Sequence, residues 1–200
     1  MTANPQRPLT PERLARIRQV LALRQPDLTL VLANIHDPHN VSAIYRSCDA
    51  FGVDEVQLYY THSEFPELGN KSSASARKWV RTQRHCSPAS LQEHLNAKGC
   101  QILATSCSAL ARPLEQWDFT RPTAVIMGNE HGGVDEELLE TAHGELYIPM
   151  YGMIQSFNVS VAAAIILAEA CRQRKNAGMY AAPALSSEEM EQRILEWSNK

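Results

Sequence analysis

Apolar residues recur along the chain in two rhythms, and each rhythm marks an element. Leu14, Ile17 and Leu21 stand three and four apart, the spacing of one helix face. Thr10-Pro11 precedes them as an N-cap followed by proline at the first helical position, so a helix is predicted over 10–24. An apolar run of strand length fills 28–35. Helical spacing returns over 40–51, with Val41, Ile44, Tyr45 and Cys48 on one face and Gly52 as the stop. Further strands are predicted at 55–60, 79–85, 100–105, 123–127 and 145–150, with polar, irregular chain over 61–78 and a loop over 109–121. Helices are predicted at 90–97, closed by Gly99, and at 135–142. A long helix over 157–176 stops before Gly178, and Ser186-Ser187-Glu188-Glu189 resembles a capping box opening a last helix to Trp197. Strands alternating with helices predict an α/β fold with a mainly parallel sheet and helices on both faces. The helices at the two ends look like additions to it.

Composition changes this picture little. Hydrophobic residues are 44% of the 200, enough for a core, and the formal net charge is −3. Overall charge therefore does not announce a nucleic-acid partner, and any such contact must come from local patches. Three basic islands stand out: Arg7, Arg13, Arg16, Arg18 and Arg24 against Glu12; Lys71, Arg77, Lys78, Arg81 and Arg84 with no acid between them; and Arg172, Arg174 and Lys175. Such islands can follow a phosphate backbone or can simply solubilise surface helices, and the one-sided charge of the first two favours RNA. The five cysteines are odd in number and include no C-x-x-C pair, which suits free thiols in a reducing cytoplasm. Residues 1–8 lack an apolar stretch of signal-peptide type. The longest apolar run, 161–168, is far short of the roughly 20 residues a membrane helix needs, so a soluble cytoplasmic protein is expected.

In open α/β sheets, ligands bind beyond the carboxyl ends of the strands. Three late strands end in unusual sequence: Thr105-Ser106; Gly128-Asn129-Glu130 before His131-Gly132-Gly133; and Ile148-Pro149-Met150 before Tyr151-Gly152-Met153. Each could be an ordinary turn, but three on one rim make a pocket. No glycine-rich dinucleotide or P-loop motif is present, and Ser156 lacks the context of a hydrolase nucleophile. His36 and His39 have no further ligand at metal spacing, so no metal is expected. Arg46 lies off the apolar face of its helix, as a solvated arginine would. Asn40 and Asn158 stand where asparagine caps helices.

Three stretches resemble the motifs of the SpoU branch of the SPOUT methyltransferases, in order and spacing. They are His39-Asn40-Val41-Ser42-Ala43-Ile44-Tyr45-Arg46, Ile126-Met127-Gly128-Asn129-Glu130-His131-Gly132, and Ile148-Pro149-Met150 with Gly152-Met153-Ile154-Gln155-Ser156-Phe157-Asn158-Val159-Ser160-Val161-Ala162. The resemblance covers about residues 10–180. Flanking segments 24–29 and 172–180 resemble the TrmH-like group within that branch, which methylates the ribose 2′-hydroxyl of guanosine 18 in the tRNA D-loop. Phe157 departs from the leucine common in the third motif, and the C-terminal tRNA-binding extension looks shortened.

The resemblance implies a deep C-terminal trefoil knot, an exception to ordinary chain-connection rules. It also implies a homodimer, tRNA as substrate and S-adenosylmethionine as methyl donor, with no metal. Thr105, Gly128, Ile148, Ser156, Phe157 and Asn158 would hold the donor. Arg46, Asn40, Glu130, Ser156 and Asn158 would make up the catalytic set, and Arg13, Arg16, Arg24, Arg172 and Arg174 would meet RNA. Three segments follow: a basic tRNA-binding helix over 1–26, a SPOUT methyltransferase domain over 27–178, and a helical tail over 179–200. Two alternatives stay open: the same chemistry on ribosomal RNA or another tRNA nucleotide, and a non-catalytic RNA-binding module.

Overall fold

The computed structural model describes residues 9–68 and 76–200. Arg7 and Lys71 of the basic islands, and residues 1–8, lie outside them. Among the described residues, seven strands form one sheet: β1 (Leu28–Ala33), β2 (Glu55–Tyr59), β3 (Arg81–His85), β4 (Gln101–Thr105), β5 (Arg112–Pro113), β6 (Thr123–Met127) and β7 (Gly144–Tyr147). Their order is β3-β2-β1-β6-β4-β7-β5, and every pairing is parallel. Among the described residues there are six α-helices: α1 (Pro11–Leu21), α2 (Pro38–Ala50), α3 (Pro88–Ala97), α4 (Glu136–Leu139), α5 (Val159–Asn176) and α6 (Ser187–Ser198).

The period of two along the strands divides the core. Leu28, Leu30 and Leu32 of β1, with Val125 and Met127 of β6, face one side and pack against Val41, Ile44, Tyr45 and Cys48 of α2 and Ala163, Ile166, Leu167 and Ala170 of α5. Val31 and Ala33, with Ala124 and Ile126, face the other and meet Leu91 and Leu95 of α3 and Leu138 of α4. Both faces of the central strands are buried, which is why they read as continuous apolar runs.

The helix starts follow local capping chemistry. Thr10 Oγ1 accepts from Arg13 N at 3.2 Å, and Ser186 and Glu189 form the expected reciprocal box. Asp37, not Asn40, caps α2, accepting from His39 N at 2.8 Å. Gly52 stops α2 with φ +79°, and a Cβ there would lie 2.7 Å from the Leu23 carbonyl oxygen.

Some bounds differ from expectation. α1 ends at Leu21, α4 is one turn, and β7 ends at Tyr147, leaving the chain from Ile148 free to shape a loop. The predicted loop over 109–121 contains the edge strand β5 and a 3₁₀ turn, Leu114–Gln116. The two end helices pack on each other through Ile17, Leu21, Ile194 and Trp197, a third small core. Buried Arg193 ties α6 to the sheet through an ion pair with buried Asp54.

Candidate functional site

The loops after β4, β6 and β7 and the start of α5 enclose a cavity of about 650 Å³. Thr105, Gly128, Ile148, Ser156, Phe157 and Asn158 all line it, and so does Glu130. Leu146, Ile148, Phe157 and Ala162 give apolar walls, while the backbones around 105–107 and 128–133 offer polar edges. Thr105 Oγ1 donates to the Ile126 carbonyl at 3.0 Å, locking the end of β4 to β6.

Gly128 is what lets the second wall form. The chain folds back so that Asn129 and Gly133 exchange backbone hydrogen bonds of 2.9 and 3.1 Å. A Cβ on Gly128 would sit 2.1 Å from the Gly133 carbonyl carbon, an impossible contact. Asn129 Oδ1 accepts from the N–H groups of His131 and Gly132 at 3.0 and 2.7 Å and fixes the turn.

At the edge of the cavity one hydrogen-bonded chain joins the three motifs. Asn40 Nδ2 donates to Glu130 Oε1 at 2.7 Å, and Asn158 Nδ2 donates to Asn40 Oδ1 at 3.0 Å. Asn158 Oδ1 in turn accepts from the Ser160 N–H at 2.9 Å, so this residue caps α5 and extends the network at once. Asn40 does not cap its helix; its amide is spent on Glu130 and Asn158. Burial pushes the Glu130 carboxyl up, but the Asn40 amide and the N–H groups of Glu130, His36 and Asp37 outweigh it, leaving it below the ordinary value.

Arg46 is exposed on α2, as its position off the apolar face suggested, and pairs with no described residue. It does not line the cavity. Two residues outside the predicted site set also shape the rim. The His36 N–H donates to Glu130 Oε2 at 3.3 Å. Asn34, with φ +48°, donates to Asp135 at 2.8 Å and accepts from the Thr61 N–H at 3.1 Å, bridging three loops. Its only sequence signal is that asparagine tolerates the left-handed region.

The arginines expected to meet RNA divide into two kinds. Arg24 and Arg174 are each 0% exposed, which rules them out as surface contacts. Arg24 pairs with Asp49 and donates to the Val53 carbonyl at 2.8 Å. Arg174 pairs with Asp27 and donates to the carbonyls of Phe119 and Arg121 at 2.8 and 3.1 Å. Both are internal cross-links, because a buried guanidinium must be paired. Arg16 is exposed, Arg13 half-buried beside the Trp197 carbonyl, and Arg172 exposed but bound to Glu169 at 2.7 Å.

Among the described residues no cluster of His, Cys, Asp and Glu could hold a metal ion, and no helix is long and apolar enough to cross a membrane.

Residues 27–168 match the model of the SpoU rRNA methylase family. The chain belongs to the SpoU methylase family. Among SpoU relatives, the tRNA (guanosine(18)-2′-O)-methyltransferase of Thermus thermophilus is 44% identical over 96% of this chain and 98% of its own. The protein of the same name from Escherichia coli is 46% identical over 86% of this chain and 75% of its own. The crystal structure of the Aquifex aeolicus TrmH/SpoU tRNA modifying enzyme superposes with a TM-score of 0.87 at 40% identity, over 94% of this chain and 95% of that one. The SpoU methyltransferase AviRb from Streptomyces viridochromogenes, in complex with the cofactor AdoMet, gives a TM-score of 0.68 at 25% identity, over 76% of this chain and 62% of that one.

Proposed function

We propose that this SpoU family member methylates the 2′-hydroxyl of a tRNA ribose, that of guanosine 18 in the D-loop, with S-adenosylmethionine as donor. The observation that carries the reading is the hydrogen-bonded joining of Asn40, Glu130 and Asn158, one from each motif, at the edge of a cavity of about 650 Å³. That volume falls within the ~300–1,000 Å³ of small-molecule sites. The relatives named for this reaction on tRNA, similar over most of the chain, support it.

The donor set of the cavity fits the cofactor. Apolar Leu146, Ile148, Phe157 and Ala162 suit the faces of an adenine ring, and the loop backbones suit its edges. Thr105, Gly128, Ile148, Ser156, Phe157 and Asn158 would hold it. When bound, S-adenosylmethionine supplies a methyl group already activated by its sulfonium. The protein's share is alignment of the ribose hydroxyl. Glu130 and Asn40, fixed by Asn158, orient the ribose, with Ser156 on the cavity lining. Arg46 holds out a guanidinium that pairs with no described residue. A guanidinium is a poor proton acceptor at neutral pH, so its first role is to grip the phosphate beside the target ribose. It takes the hydroxyl proton only once that phosphate has perturbed it.

Arg13, Arg16 and Arg172 remain the RNA contacts of this reading. Residues 27–178 carry the chemistry, and the segments 1–26 and 179–200, whose helices pack together, dock tRNA. The trefoil threading belongs to the same proposal. Its support is the return from β7 through residues 148–158, of which Ile148, Met150, Ser156, Phe157 and Asn158 line the cavity, into α5, which packs on α2. So does a homodimer, supported by a run of exposed apolar residues: Tyr151 and Met153, each 99% exposed, with Ile154, Phe157 and Val161. All five cysteines are free thiols, which supports a reducing, cytoplasmic setting. Tritium transfer from labelled donor to bulk tRNA tests the activity. Transfer to tRNA is expected; transfer to ribosomal RNA alone, or none, contradicts it.

A further inference from the structure

Phe65 carries two guanidiniums. Arg77 lies over its ring at 5.5 Å and Arg84 at 5.1 Å, while Tyr60 meets it edge-on at 5.1 Å. Both arginines are exposed, and no described carboxylate forms an ion pair with either. Arg81, their neighbour in the sequence, differs: it is bound to Asp54 at 2.7 Å. A cation–π contact with an aromatic ring helps hold a guanidinium in place while its N–H groups can still donate. Two such groups at one place, without a carboxylate, are a site for an anion that accepts several hydrogen bonds.

The place of this cluster in the fold matters. Tyr60 follows β2 and Arg84 lies near the end of β3, so this side of the cluster sits on the carboxyl-terminal rim that also holds the cavity, while Arg77 comes from the 3₁₀ turn Ala76–Lys78, which packs on α2. The Tyr60 hydroxyl donates to the Ile35 carbonyl at 3.0 Å, and the next residue, His36, donates its N–H to Glu130. A continuous path thus runs along the rim from the cluster to the catalytic network. The cluster also flanks α2: Tyr45, next to Arg46, shares a hydrogen bond of 2.8 Å with Thr82 of β3. Burial raises the Tyr45 phenol, and the positive fields of both Arg77 and Arg84 act against that rise.

We propose that Phe65, Arg77 and Arg84 form a phosphate clamp for the RNA backbone, holding the strand across α2 at a distance from the methylated ribose. The proposal rests on the tRNA reading above. Arg77 and Arg84 contact phosphate, and Phe65 is a positioning residue that orients them. The clamp contributes affinity independent of sequence, as phosphate contacts do.

The test is equilibrium binding of an unmodified tRNA transcript to the full chain across a salt series, with donor affinity measured as a check on folding. Arg77→Ala with Arg84→Ala should weaken tRNA binding on the order of tenfold and lower the log–log salt slope by roughly 1.4–1.8, two contacts' worth. Donor affinity should not change. Phe65→Leu keeps both charges, so it should keep the slope while weakening binding several-fold; a merely electrostatic surface would not respond to it. If the double variant binds tRNA with wild-type affinity and slope, the clamp is wrong and the catalytic reading stands. If Phe65→Leu is indistinguishable from wild type, the ring does not position the arginines. If the wild-type protein itself has no affinity for tRNA, the tRNA reading fails and the clamp with it.

Discussion

Arg46 and Gly128 should fail in opposite ways when replaced. Arg46 stands outside the cavity, so Arg46→Ala should leave donor affinity near wild type while reducing single-turnover methyl transfer by at least ~100-fold, the scale of a lost aligning contact. Near-normal transfer would remove Arg46 from the catalytic set. Gly128→Ala should instead abolish donor binding, because its Cβ would collide with the Gly133 backbone at 2.1 Å. Titration of donor against both variants separates them. Placement was legible where residue type and position coincide: Glu130 and Gly128 do stand at the cavity. It was not legible at Arg24 and Arg174, whose partners Asp49 and Asp27 lie 25 and 147 positions away. A count of local charge cannot tell a buried cross-link from a surface contact. Asn40 was open for a related reason: the asparagine that caps a helix and the one that reaches across to Glu130 look alike in sequence.

At the level of elements, β2 and β3 are joined to α3 by a polar cluster inside the sheet face. Glu55 lies 2.6 Å from Lys98 Nζ, 3.7 Å from Arg81, 3.0 Å from the Gln57 amide and 3.5 Å from His94. Burial works to raise its carboxyl, and the Lys98, Gln57 and Arg81 contacts overcome this and bring it from 4.5 to about 2. A depressed folded-state value means stability that is fully present above the unfolded value and lost as pH falls toward about 2. Glu55→Gln should therefore cost about 2–3 kcal/mol at neutral pH. The gap from wild type should close as pH falls from about 4.5 to about 2 in denaturant titrations. A gap independent of pH would show that the ionised carboxyl is not the stabilising form. The strands and helices themselves were legible from their two periods, since burial on one or both faces enforces them. Element ends were not, because β7 stops where the chain turns to shape the cavity, and α4 stops where the chain turns back to β4, with His143 and Ile102 exchanging hydrogen bonds. Nor was the two-residue strand β5, whose pairing with β7 is its whole definition.

The molecule as a whole is an α/β sheet with its cavity and the Asn40–Glu130–Asn158 network gathered at one rim, and its exposed apolar run at 151–161 calls for cover. Sedimentation should find a dimer of 22.3 kDa chains at working concentration, and a stable, active monomer would contradict that. Whole-molecule properties were the least legible from pattern alone: periodicity says which face is buried, not whether a second chain buries it. The central claim concerns what the assembled rim does, and one measurement meets it directly. Unmodified tRNA transcript is incubated with labelled donor and protein, then digested and mapped by mass spectrometry, beside a transcript carrying a 2′-deoxy nucleotide at the target. The account predicts one methyl group per tRNA, on the ribose of guanosine 18, and none on the deoxy transcript. A methyl group on a base or at another nucleotide, transfer that survives the deoxy substitution, or no transfer despite bound donor and tRNA, would contradict it.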